Sequence, residues 1–137
     1  MPVNQKHISK IVRILLFVLI LSACKKQPGE GGFATIKGRL FVKNYDPTYT
    51  VLLSQYYLPG ESVYIIYGDN NEVGDNVRTT NDGTFTFNYL RKGKYKIYAI
   101  GEDSTKPSLS IPKETLVEIE IKEKKEVVNV GDLVIID

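Results

Sequence analysis

From residue 33 onward the apolar side chains of this 137-residue chain recur at every second position, and no stretch there keeps the 3.6-residue interval of a helix. In ATIKGRLFV, Ile36, Leu40 and Val42 fall on one side, and Thr35, Lys37, Arg39 and Phe41 on the other. SVYIIYG sets Val63, Ile65 and Tyr67 against Tyr64 and Ile66. GKYKIYAI sets Tyr95, Ile97 and Ala99 against Lys96, Tyr98 and Ile100, and TLVEIEIK points Val117, Ile119 and Ile121 inward. Successive side chains of a strand leave opposite faces, so this period means strands with one dry face and one wet face. The dry faces need a second layer to cover them.

Turn residues separate these runs. NVRTTNDGTFTFNYL reads as a hairpin, with Asn81-Asp82-Gly83 supplying the positive-φ reversal and Phe85 and Phe87 alternating with threonines. EVVNVGDLVIID closes the chain, with Gly131 read as a bulge. The count is seven strands, which predicts an all-β fold: a seven-stranded antiparallel β-sandwich, Ig-like in its broad plan, over residues 33–137. About 105 ordered residues can bury an adequate core without disulfides or metals.

The leading residues obey a different rule. Lys6, His7, Lys10 and Arg13 make a positive start, followed by the unbroken apolar run ILLFVLIL at residues 14–21. Crossing a bilayer as a helix takes roughly 20 apolar residues, so a run this short, with no polar face, fits a secretory signal. Leu21-Ser22-Ala23-Cys24 resembles the lipobox of bacterial lipoproteins. That resemblance implies cleavage between Ala23 and Cys24 and acylation of the Cys24 thiol. Each buried methylene contributes about 0.8 kcal/mol, so several acyl chains hold a domain on a membrane. KKQPGEGG, with Pro28 and three glycines, reads as a flexible tether. The expected organisation is a cleaved lipoprotein signal peptide at 1–23, a tether at 24–32 and the sandwich at 33–137. Lys25 stands where, in lipoprotein sorting, an aspartate implies inner-membrane retention. The expected location is therefore the bacterial cell envelope, on the periplasmic face of the outer membrane.

Loss of the leader narrows the chemistry. His7 leaves with it and the single cysteine becomes the lipid attachment, so the mature domain has no imidazole and no thiol. Zinc sites of Cys and His, Ser-His-Asp and Cys-His nucleophiles, and internal disulfides are excluded. Lys6, Lys10 and Arg13 leave too, so the 18 basic residues become 15 against 16 acids, a net charge of −1. Such a body offers no basic face for nucleic acid. Glu118 and Glu120 are the one candidate acid–base pair, but their alternation with apolar residues marks the wet face of a strand. The loop GDNNEVGDN (68–76) matches the start of a calcium loop at Asp69, Asn71 and Gly74, with Val73 at a ligand position, and reads better as a polar turn.

The string T-x-x-D-G-x-F-x-F-x-x-L-x-x-G-x-Y is carried by Thr79 or Thr80, Asp82, Gly83, Phe85, Phe87, Leu90, Gly93 and Tyr95. With GRL before it and PGESVYI between, it resembles the carboxypeptidase regulatory-like domains common in Bacteroidota lipoproteins. The resemblance covers roughly residues 33–136. It implies a transthyretin-like sandwich in which Gly83 takes positive φ, Phe85 and Phe87 fill the core, Leu90 plugs one end and Tyr95 makes a corner-like bond to backbone. It implies no reaction.

The chain departs from that family at residues 44–60, a long link holding Tyr45, Tyr49, Tyr56 and Tyr57. Two readings stand. The tyrosines form an exposed patch for a protein, glycan or peptide, or the segment extends a strand or covers a sheet edge and buries them. The functional expectation is a non-enzymatic, membrane-anchored adaptor that needs no cofactor or metal and meets an envelope protein. The alternative is a glycan- or peptide-binding lipoprotein using 44–60.

Overall fold

The computed structural model describes residues 26–102 and 112–137. Cys24 and the lipobox residues Leu21, Ser22 and Ala23 lie outside them. Eight strands follow one another: β1 (Glu30–Tyr45), β2 (Leu52–Tyr57), β3 (Ser62–Tyr67), β4 (Val73–Arg78), β5 (Thr84–Leu90), β6 (Gly93–Glu102), β7 (Pro112–Ile121) and β8 (Val127–Ile136). The all-β, two-sheet sandwich is as expected. The described residues hold eight strands instead of seven, because Leu52–Tyr57 of the tyrosine-rich link is itself a strand.

One sheet runs in the order β4-β3-β6-β7, antiparallel throughout. The other is built around β1. On one flank β8 lies parallel to it, the single parallel pairing among the described strands. On the opposite flank β5 and β2 lie end to end, both antiparallel, β5 opposite Glu30 to Arg39 and β2 opposite Phe41 to Tyr45. Leu40 marks the junction: its N–H donates to Gly83 O and its carbonyl accepts from Leu58 N–H, each at 2.9 Å.

The core is the set the period of two predicts. Ile36, Leu40, Val42, Val63, Ile65, Phe85, Ile97 and Ala99 are wholly buried, with Phe87, Leu90, Tyr95 and Ile121 nearly so. A large side chain buried like this contributes about 1.5–3 kcal/mol each, so these two inner faces hold the sheets together. Gly131, at φ 74, sits where the β1–β8 register shifts, the bulge read from the sequence.

Two expectations are corrected. The 76–90 hairpin does not form. Gly83 N–H does bond Thr80 O and Thr80 N–H bonds Thr84 O, so the reversal is real. Beyond it, however, β4 pairs with β3 and β5 pairs with β1, in different sheets. The cause is Thr79, buried before the turn, whose hydroxyl donates to Leu58 O at 2.6 Å and accepts from Glu61 N–H at 3.0 Å. Those bonds fasten the end of β4 to the β2–β3 connection. Gly83, at φ 77, also leaves no room for a side chain, since a Cβ there would stand 2.7 Å from Tyr57 Cβ.

The second correction concerns the start of the fold. β1 begins at Glu30 and Gly29 is already buried, so the structured body reaches back into the expected tether. Tyr95 is responsible. Its hydroxyl donates to Arg91 O at 2.7 Å, the corner-like bond expected of it, and accepts from Gly29 N–H at 3.0 Å. Burial raises its pKa above the ordinary phenol value. Tyr67 packs edge-on against it, ring centroids 6.0 Å apart, and is pushed up to about 12 by burial and by Glu30 and Asp75.

Candidate functional site

The tyrosine-rich segment reaches the surface by a stiff loop. After β1, Asp46 accepts from the N–H groups of Thr50 at 2.8 Å and Val51 at 2.7 Å, and from the Thr48 hydroxyl. That hydroxyl, followed by the Val51 N–H, lowers the Asp46 pKa to about 2. Asp46 thus serves as a local template for the turn, as Asx residues commonly do. Tyr49 takes φ 55 at the tip and donates to Glu102.

β2 then pairs with β1 and, among the described strands, with nothing else. Five of its six residues are exposed, and only Tyr57 is half-buried. Val51, Leu52, Leu53 and Tyr56 are among the most exposed large apolar residues of the molecule, Leu53 at 61%. β2 therefore presents an open row of backbone groups flanked by apolar side chains. Such an edge is a template for another strand unless it is blocked, and natural sheets block theirs with charge, proline or a bulge. LLSQYY contains neither charge nor proline, and its one irregularity is a register shift at Leu53, near the start of the strand.

Both readings of 44–60 are half met: the segment does extend the sheet edge, yet it leaves Tyr56 in water. The four tyrosines do not assemble into one surface. Tyr45 and Tyr49 tilt together at the loop, ring centroids 6.5 Å apart. Tyr56 and Tyr57 are adjacent in β2 and so leave opposite faces. Tyr57 belongs to a cluster on the outer face of the β1 sheet: Arg39 lies 3.9 Å over its ring, Phe41 meets it edge-on at 5.1 Å, and its hydroxyl donates to Asp132 at 3.1 Å. Arg39 also pairs with Asp132 at 3.4 Å. Sequence reasoning missed Arg39, Phe41 and Asp132, which only the β1–β8 pairing brings beside Tyr57. It also missed Leu52 and Leu53, whose apolar character reads as core.

Glu118 and Glu120 stand exposed on β7, opposite Lys96 and Lys94 of β6. That is the cross-strand charge pattern of a solvated face. The 68–76 stretch divides: Gly68 N–H bonds Lys94 O in the turn, while Val73 onward is β4. Among the described residues no three His, Cys, Asp or Glu side chains gather closely enough to hold a metal.

No family model matches the chain, and neither does any curated protein. Among solved structures, a "putative carbohydrate binding protein" of Pseudomonas aeruginosa is similar at 10% identity and TM-score 0.47, over 85% of this chain and 94% of that one. The major pilin subunit of Bacillus cereus is similar at 14% identity and TM-score 0.35, over 69% of this chain. The chain spans 28% of the pilin's length.

Proposed function

We propose that this protein is a lipid-anchored interaction module of the bacterial cell envelope, without catalytic activity, that captures an extended segment of a partner protein along β2. The observation that carries the reading is the edge itself: a six-residue strand paired on one side only, with Leu52, Leu53 and Tyr56 exposed. Strand addition draws affinity from main-chain hydrogen bonds and specificity from alternate side chains, and β2 offers both. The lipobox-like Leu21-Ser22-Ala23-Cys24 supports the anchor, and Lys25 in place of an aspartate supports the periplasmic face of the outer membrane as the location. The resemblance to carboxypeptidase regulatory-like domains supports the absence of a reaction, since its motif residues all serve the fold. A glycan platform has less support, because stacking on sugars asks for ring faces side by side and one face of Tyr57 is taken by Arg39.

The register supplies a test. Leu58 N–H points to β1, so Tyr57 and Gln55 direct theirs toward the open edge, up to the register shift at Leu53. Gln55→Pro removes one outward donor and leaves the β1 ladder whole. A photo-crosslinking amino acid at Leu53 is expected to give one discrete protein adduct in native cells, absent in Gln55→Pro and absent with the probe at Val134 on β8. Equal adducts at positions 53 and 134, or none at 53, would refute strand capture.

A further inference from the structure

The end of the sandwich where the chain enters carries a second surface. β1, β6 and β8 begin there, and β5 and β7 end there. Lys26, Arg91, Lys92 and Lys124 line a groove on the β1-sheet side of that end, with Phe33, Leu90 and the glycines 31 and 32. The glycine floor is close-fitted: a Cβ on Gly32 would overlap Leu90 O at 1.9 Å, and one on Gly31 would meet the Arg91 guanidinium at 2.8 Å. No acid lines this groove. Of the acids close by, Glu126 accepts from the N–H groups of Lys122 and Glu123 at 2.7 and 2.9 Å and also feels the Lys92 charge, while Glu30 is bonded to Tyr67. Two aromatic rings stand out in water at this end, Phe33 in the groove at 61% exposure and Tyr89, two residues before Arg91, at 73%. Lys124 sits 5.2 Å over the Phe33 ring. Tyr89 is held at φ 59, a conformation rare for a non-glycine residue.

Chain length fixes what this surface faces. Lys26 follows Cys24 by two residues, a reach of at most about 7 Å, and follows the apolar run by five, at most about 18 Å. We infer that this end docks on the bilayer, with phospholipid phosphates in the basic groove and Phe33 and Tyr89 at headgroup depth. Aromatic rings favour that depth, and cations near an anionic surface each add attraction. The inference rests on the anchor reading only for proximity, because the uncleaved apolar run would hold the same end at the same surface.

The test uses the full chain reconstituted into phosphatidylcholine vesicles with and without phosphatidylglycerol, read by hydroxyl-radical oxidation of individual side chains. Phe33 and Tyr89 are expected to be protected severalfold in the anionic vesicles, while Tyr56 stays equally oxidised in both. In Lys92→Gln/Lys124→Gln the protection should be lost, since each charge removed weakens docking by about fivefold, and high salt should reduce it likewise. Oxidation of Phe33 and Tyr89 independent of lipid charge, or protection of Tyr56 to the same extent, would overturn the inference. The mass of the Cys24 peptide from native cells separately tells whether acyl chains or the apolar run provide the anchor, so the two ideas fail independently.

Discussion

β5 and β2 are a controlled comparison within one molecule. Both run antiparallel to β1 on the same flank, one after the other, with near-equal lengths of seven and six residues. Both are rich in apolar and aromatic side chains. Yet β5 buries Phe85, Phe87 and Leu90, whereas β2 buries none of its residues. Backbone pairing is therefore insufficient to make a core. A strand's apolar side chains leave water only where a second layer lies across from them, and here that layer covers β5 and stops short of β2.

Truncating each strand should separate them most sharply. Phe85→Ala is expected to lower unfolding free energy by about 3–5 kcal/mol, enough to threaten the fold, whereas Tyr56→Ala should stay within about 0.5 kcal/mol. Urea denaturation followed by circular dichroism measures both, and equal losses would mean that β2 is covered after all.

Tyr95→Phe comes next. It leaves the ring in place and strips the hydroxyl from Gly29 N–H and Arg91 O, at a cost of about 1–3 kcal/mol. Hydrogen exchange at Gly29 should accelerate while exchange along β2 stays unchanged. Faster exchange in β2 would show that the two ends are coupled.

Leu53→Lys should scarcely alter stability, since Leu53 is already exposed, yet it places a charge on the open edge and should abolish the partner adduct. Retention of that adduct would move the contact off β2.

The smallest effect concerns the loop that presents β2. Asp46 is held down to about 2 in the fold from an ordinary 3.8, so its ordering of the turn is complete above pH 4 and is lost as pH falls through about 2. The Val51 amide shift should follow that titration by NMR, and in Asp46→Asn the titration should vanish. A midpoint near 4 would mean the carboxylate is free.

This contrast also explains what could be read from the chain alone. Phe85, Phe87 and Tyr95 were legible because strands covered on one face must alternate, and the covering layer leaves its period in the sequence. LLSQYY has no such period, since neither of its faces is dry, so the sequence left open whether it extended a strand and gave no sign that its apolar residues stay in water. The apparent hairpin failed for another reason: Asn81-Asp82-Gly83 encodes a reversal, and the Thr79 bonds that send the strands to different sheets come from residues 18 to 21 positions away. The early start of β1 was hidden because Gly29 is fixed by Tyr95, 66 residues on.

The continuity of β1 has a geometric consequence for any protein that meets this one. Phe33 stands at the entry end and Phe41 beside β2, and eight residues of strand separate them by roughly 26 Å. If the entry end rests on lipid, the open edge is displayed at that height, as from a short mast. A protein confined to the hydrocarbon layer would pass beneath it. The partners it selects are those that project a loose, strand-forming stretch well clear of the membrane.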